Sequence, residues 1–511
     1  MKKESSLYSH LRGFWGSAQK QAFWAALLVG LAAHIYKFTN TLYNHDAIFG
    51  WSFKNNMIGS GRWFLAAASM PSSCFDLPWI NGLLSLIYIG LTAAVIADIF
   101  KLHRGSAAVI TGALLASFPC VTISFFYEFT ADAYMLAMLL AALSVRLNMV
   151  GDKNRLHAAA AALLVCFCCG IYQAYVSFAL LLSMSHFITE LLNKKREDKL
   201  LYRWIGRQFI VYGAALAVYY VIWKLSLLIS GLPVQNYQGI NELGSIGGGA
   251  FSTALVKMAQ TLASFFLGGN VFKNGFSFYA LLNIAFLLSL AALLVYAAAK
   301  AGLAAKWQRL VLLILSLVSL PVFACIWLFA SPGVYYYPVM LQSLCLLYIL
   351  APVLAERFGG QRLRALAAVL FAVIALKFTV QANQAYLLLE RCNRTSHVTA
   401  SEMLTRIHLL DDGSVKKFAF VGGTDESLVS SGAEGIEELT VFANMVQPTL
   451  IYDHLHASSY MVTVLDCGYT PVSEAELDEL AASGVTDDMP VWPLDGSVRI
   501  IGDTAVIKLS D

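Results

Sequence analysis

Apolar runs of about 20 residues recur from residue 21 to residue 385, and this periodicity constrains the chain more than anything else in it. A helix needs about 20 predominantly apolar residues to cross roughly 30 Å of hydrocarbon. In hydrocarbon the backbone must satisfy its own hydrogen bonds, so a helical bundle follows. The pattern predicts eleven spans, near 21–43, 82–100, 106–126, 131–149, 157–172, 174–192, 208–230, 277–298, 310–330, 338–355 and 365–385. The stretch 158–192 would be overlong as one helix. Gly170 and the polar Tyr172-Gln173 pair predict a tight turn inside it. With 58% hydrophobic and 13% charged residues, the chain lies far from ordinary soluble composition.

Charge divides the chain in two. Residues 386–511 carry 7 Lys/Arg and 20 Asp/Glu, a net of −13, whereas residues 1–385 carry 28 and 12, a net of +16. The division predicts a membrane body at 21–385, a short cytoplasmic N-terminal segment at 1–20 and a separate soluble domain at 386–511. An acidic tail disfavours nucleic acid and anionic lipid as its partners. Its pattern reads as a small α/β or α+β domain. Helices are expected at 395–410 and 473–482, and strands at 416–421, 439–442, 498–501 and 505–509.

Six segments on one side of the expected spans hold 21 Lys/Arg, and the opposite loops hold only Lys54, Arg62, Lys257 and Lys273. By the positive-inside rule the N-terminus is cytoplasmic, and an odd number of spans puts the tail outside. Two long outer connections result, 44–81 and 231–276, each with an expected interfacial helix; in the second it covers 251–266. Cys392 and Cys467 could pair if the tail is extracytoplasmic, which spacing alone does not establish. Cys166, Cys168 and Cys169 lack a nearby His and fit apolar packing rather than zinc. Gly422-Gly423 lacks the spacing of a phosphate loop.

Candidate chemistry gathers on the outer side. Asp46, in Asn44-His45-Asp46, stands where the first span runs out and could act as a general base; otherwise it simply ends the helix in solvated headgroups. His45 could tune that acid or bind phosphate. Glu128 and Asp132 are four residues apart, on one face if the helix starts early, as substrate-positioning acids or, for Asp132, a metal ligand. Arg62, in Gly61-Arg62-Trp63, suits bidentate grip on a phosphate. Lys54 shares its loop, and Lys37, Lys224 and Lys377 lie in spans toward their outer ends, positioned to snorkel. Tyr172 and Gln173 could bind sugar by stacking and hydrogen bonding. For Tyr335-Tyr336-Tyr337 an aromatic belt is the better reading.

Asn44-His45-Asp46, Gly61-Arg62-Trp63 and Gly170-Ile171-Tyr172-Gln173 together resemble the bacterial serotype-converting glucosyltransferases of the Gtr type II kind. The layout more broadly resembles the GT-C superfamily of polytopic glycosyltransferases, over roughly residues 20–390. The resemblance implies a GT-C-like helical bundle with an extracytoplasmic α/β domain, in the bacterial cytoplasmic (inner) membrane. It implies transfer of a hexose, glucose by the likeness, from a polyprenyl-phosphate donor to a cell-surface glycan such as the O-antigen of lipopolysaccharide. Asp46 would be the base of an inverting displacement. Arg62, with Lys54, Lys37 or Lys377, would stabilise the departing phosphate, and Glu128 or Asp132 would be the further acid. Relatives often carry two adjacent acids where this chain has His45-Asp46, and a late outer Arg that 331–333 lacks. No cofactor is implied, and a divalent metal is left open. Two other classes fit the composition: a flippase or transporter of lipid-linked sugars, and a non-catalytic envelope assembly protein. Internal repeats or paired broken helices would favour a transporter, and neither is seen.

Overall fold

The computed structural model describes residues 15–50, 57–103, 105–235, 250–268, 278–331, 334, 336–423 and 449–510. The chain divides into two compact units. One comprises residues 1–39 and 53–383; the other comprises residues 40–52 and 384–511.

The first unit is a helical bundle. Its main helices are α1 (Ser17–Thr39), α2 (Pro78–Ile99), α3 (Gly105–Ser117), α4 (Glu128–Leu147), α5 (Arg155–Ile171) and α6 (Val176–Leu191). They are followed by α7 (Asp198–Ser230), α8 (Ala250–Leu267), α9 (Phe278–Ala301), α10 (Trp307–Ala324), α11 (Cys345–Phe358) and the start of α12 (Gln361–Leu410). Small residues set the closest contact. On α1, Ala22 and Ala26 are fully buried, and a Cβ added at Gly112 of α3 would stand 2.1 Å from the Ala22 carbonyl oxygen. Such close backbone approach is how apolar helices pack when lipid is as apolar as their side chains. Phe118 is extended (ψ 134°) because Pro119 follows it, so α3 stops and a short helix, Pro119–Ser124, restarts at the proline.

Ten helical stretches among the described residues are long and apolar enough to cross a membrane, and the chain is a multi-pass membrane protein. Nine of them fall on expected spans. The other two expected spans form shorter helices: α5 has 17 residues and α11 has 14. The apolar run at 338–355 opens with two turns of 3₁₀ helix, Pro338–Met340 and Gln342–Leu344, so α11 begins only at Cys345. Every residue from Cys345 to Ala355 is buried by protein, and hydropathy alone does not separate burial in protein from burial in lipid. The tenth stretch is α8, expected as an interfacial helix, whose 18 residues are apolar enough to span.

On the loops rich in Lys and Arg, Arg309 of α10 donates to the carbonyls of Leu191 (3.3 Å), Asn193 (3.1 Å) and Arg196 and pairs with Asp198. It thereby serves the Leu191 carbonyl at the end of α6 and two carbonyls of the loop that follows. Glu190 pairs with Arg196 and, at 3.4 Å, with Arg357.

In the second unit, β1 (Lys417–Val421), β2 (Thr470–Pro471), β3 (Val498–Ile501) and β4 (Thr504–Lys508) form one sheet in the order β2-β1-β4-β3. β1 runs parallel to β2 and β4, and β3–β4 is an antiparallel hairpin with Gly502 at φ 62° in its turn. Phe418 and Phe420 are fully buried on one side of β1, and Ala419 packs with Val472, Met489 and Val506 on the other. Helices α13 (His454–Thr463) and α14 (Glu474–Ala482) complete the described elements. Ser473 and Glu476 form a capping box at the start of α14. The helix expected at 395–410 is the end of α12, which runs unbroken for 50 residues. The strand expected at 439–442 lies outside the described residues. Cys392 and Cys467 are both free thiols.

Candidate active site

The first unit builds its site on the turn between residues 57 and 64. Gly61 there has φ 82°, and a Cβ at that position would meet the Tyr219 hydroxyl at 2.4 Å and Gln173 Nε2 at 2.5 Å, so only glycine fits. Three side chains pin the turn by its carbonyls. Trp223 Nε1 donates to Ile58 (2.8 Å), Gln173 Nε2 to Ser60 (2.7 Å) and the Tyr219 hydroxyl to Gly61 (3.0 Å). The Phe64 N–H donates to the Gly170 carbonyl (2.8 Å), and a Cβ at Gly170 would collide with the Trp63 ring. The two motifs, residues 61–63 and 170–173, thus form one structure.

Arg62 projects from this turn. Its guanidinium stands 4.5 Å over the Tyr172 ring, and Nη1 donates to the Tyr134 hydroxyl at 3.2 Å. Tyr134 and Tyr172 are stacked, with centroids 4.9 Å apart and planes at 16°. Tyr172 takes an extended conformation (φ −157°, ψ 119°), which ends α5 and turns its ring away from the helix path.

Tyr134 sits on α4, two residues past Asp132 and six past Glu128. Glu128 and Asp132 are both buried on that helix, and Glu128 pairs with Lys37 of α1. Lys37 is wholly buried, so it does not snorkel; a carboxylate 91 positions away compensates its charge. Ser72 and Asn81 lie beside Asp132, whose Oδ1 accepts from the Ala133 N–H at 2.9 Å. Asp76, on the loop before α2, belongs to the same group. Burial pushes its carboxyl above the usual range, and the Lys37 charge opposes that shift. Asp76, Ser72, Asn81 and Tyr134 carry no motif in the sequence. Tyr134 lies two positions past Asp132, about 200° round the helix, so the acid pair gave no signal for it.

The second unit holds Asn44-His45-Asp46. Ala47–Phe49 is a turn of 3₁₀ helix with Asp46 at its N-cap, and it packs on α13. Leu42, Tyr43, Asn44, Ala47 and Ile48 are buried, whereas the Asp46 side chain is 47% exposed, with His45 Nε2 3.6 Å from its carboxylate. Tyr452, just before α13, has its hydroxyl pushed up by burial and then by the charges of Asp453 and Asp46.

The expected site residues therefore fall into three groups. Arg62, Tyr172 and Gln173 come together, as do Lys37, Glu128 and Asp132. His45 and Asp46 belong to the other unit, although only 16 positions separate Asp46 from Arg62. Lys377 is half-buried on α12, Lys224 is exposed over Tyr220 and Trp223, and Lys54 lies outside the described residues. Tyr336 is buried and donates to the Ala324 carbonyl (2.9 Å), so it forms no interfacial belt. Among the described residues no group of three or more His, Cys, Asp or Glu could hold a metal ion.

No curated protein and no solved structure matches the chain. The family model described as Glucosyl transferase GtrII matches residues 35–355, which takes in Arg62, Tyr134, Gly170, Tyr172 and the acid pair of α4. That match covers more than half of the chain, and the protein belongs to the GtrII glucosyl transferase family.

Proposed function

We propose that this membrane glycosyltransferase moves glucose from a polyprenyl-phosphate donor to a cell-surface glycan such as O-antigen, on the outer face of the bacterial cytoplasmic membrane. The acceptor hydroxyl attacks the anomeric carbon as the bond from that carbon to the phosphate oxygen breaks. The phosphate leaves with the electron pair, and the configuration inverts. Asp46 takes the hydroxyl proton, a role assigned on its place after the first span and supported by its solvent-facing carboxylate. Arg62 stabilises the departing phosphate. Phosphate is a good leaving group, so no general acid is required.

The observation that carries this reading is the mounting of Arg62. A guanidinium stacked on Tyr172 at 4.5 Å, on a turn pinned by Gln173, Tyr219 and Trp223, is held before any ligand arrives. A preorganised cation stabilises developing negative charge without reorganising at the moment of reaction. Glu128 and Asp132 serve the donor sugar as hydrogen-bond acceptors in this reading, with Lys37 as the fixed partner of Glu128.

The test is transfer of radiolabelled glucose from polyprenyl-phosphate glucose to an acceptor glycan by the purified protein. Arg62→Ala is expected to lower kcat by roughly 10²–10³, and Asp46→Asn to abolish transfer. Full transfer by Asp46→Asn sinks its role as base. Movement of the labelled lipid between leaflets without transfer would identify a flippase instead.

A further inference from the structure

Aromatic side chains cluster beside Asp46 within the second unit. The Phe49 ring meets His456 edge to face at 5.1 Å, and His456 in turn lies 4.1 Å from Tyr452 with planes at 30°. Phe49 is 47% exposed and Tyr452 is half-buried, so the row has an open side. Asp453 fixes the imidazole. Its Oδ1 is 2.8 Å from His456 Nδ1 and also accepts the His456 N–H at 2.8 Å, as the N-cap of α13. Both flanking acids reach solvent, with 47% of the Asp46 side chain and 46% of the Asp453 side chain exposed.

We propose that Phe49, Tyr452 and His456, flanked by Asp46 and Asp453, form the binding site for the pyranose of the acceptor glycan. A pyranose has an apolar face of C–H groups that lies against aromatic rings and a rim of hydroxyls that donate to carboxylates. The two acids exclude the other occupants. An apolar peptide would desolvate them without a hydrogen bond in return, and an anionic donor phosphate would meet two like charges. An uncharged sugar satisfies both features. The inference rests on Asp46 as the base, because the same surface then brings an acceptor hydroxyl to the carboxylate that takes its proton.

Saturation-transfer NMR on the full chain tests this, in phospholipid nanodiscs free of glycosidic detergent. The probes are methyl α-D-glucopyranoside, methyl α-D-galactopyranoside and methyl α-L-rhamnopyranoside. At least one is expected to receive saturation from the wild type. Binding should weaken roughly three- to ten-fold in Phe49→Leu and Tyr452→Leu and persist in Arg62→Ala. In transfer assays the same two variants should raise the acceptor KM and leave the donor KM unchanged. Phe49→Leu changes an exposed side chain, so it remains informative if Tyr452→Leu does not fold. The proposal is overturned if no glycoside receives saturation, if binding is undiminished in Phe49→Leu, or if it is lost in Arg62→Ala. Full transfer by Asp46→Asn would instead sink the base assignment, leaving the weakened binding of Phe49→Leu as independent support for the sugar site.

Discussion

Asn393 and Tyr43 stand 350 positions apart and exchange two hydrogen bonds of 2.8 Å, the Tyr43 N–H to Asn393 Oδ1 and Asn393 Nδ2 to the Tyr43 carbonyl. Both residues are buried, so neither main-chain group has water as a substitute. This amide fastens the segment carrying Asp46 to the C-terminal unit. Asn393→Ala removes both of these buried hydrogen bonds and is expected to cost about 1–3 kcal/mol. Hydrogen exchange should show lost protection at Tyr43 and through the turn Ala47–Phe49. Unchanged protection there would show that the buried side chains alone hold the segment.

The ion pair between Lys37 and Glu128 makes a second prediction, with the sign set by burial. Lys37→Met leaves a buried carboxylate without its partner and should destabilise the bundle by about 3–5 kcal/mol. Adding Glu128→Leu to Lys37→Met removes the orphaned charge and should restore most of the loss. Thermal unfolding in detergent checks both. A double variant no more stable than the single one would show that the pair does not act as compensating charges.

Two glycines on different helices should respond oppositely to alanine. At Gly112 a Cβ would meet the Ala22 carbonyl oxygen at 2.1 Å, and the neighbouring atoms are backbone, so α1 and α3 must separate. Gly112→Ala should lower the unfolding temperature or abolish folding in the membrane. At Gly206, on α7, a Cβ would meet nothing within 4 Å. Gly206→Ala should be neutral or stabilising by up to about 1 kcal/mol. Equal effects from the two substitutions would contradict the close approach.

Glu476 provides a pH dependence. The hydrogen bond from Lys417, then those from Ser473, lower its carboxyl from 4.5 to about 2. A depressed acid stabilises the fold above its unfolded pKa, and that contribution disappears as pH falls from about 4.5 toward 2. Glu476 is exposed, so the effect is small and local to α14. Hydrogen exchange of α14 should quicken across this window in the wild type, and Glu476→Gln should remove the pH dependence. A wild-type profile flat across the window would overturn the assignment.

The bundle was legible because hydropathy acts locally: nine of the spans need only their own residues to be recognised. The joining of Arg62 to Tyr172 was visible only as two short motifs; the hydrogen bond from Phe64 to Gly170 makes them one structure. The partner of Lys37 was not visible, because nothing near α1 in the sequence signals a carboxylate 91 positions on. The continuity of α12 was hidden because its apolar pattern fades into polar residues while the helix goes on. Membership of residues 40–52 in the C-terminal unit was hidden for a related reason. A short loop reads as belonging to the spans beside it, and the pairing of Tyr43 with Asn393 and the packing of Ala47–Phe49 on α13 assign it elsewhere.

That pairing has a consequence for biogenesis. Tyr43 leaves the ribosome 350 residues before Asn393. At about 5–20 residues per second, the interval is roughly 20–70 s. Throughout it, the segment bearing Asp46 has been synthesised and its clasp has not. Asp46, the earliest translated of the candidate site acids, is among the last groups to reach its final place, so a nascent chain cannot complete this arrangement before its C-terminal unit exists.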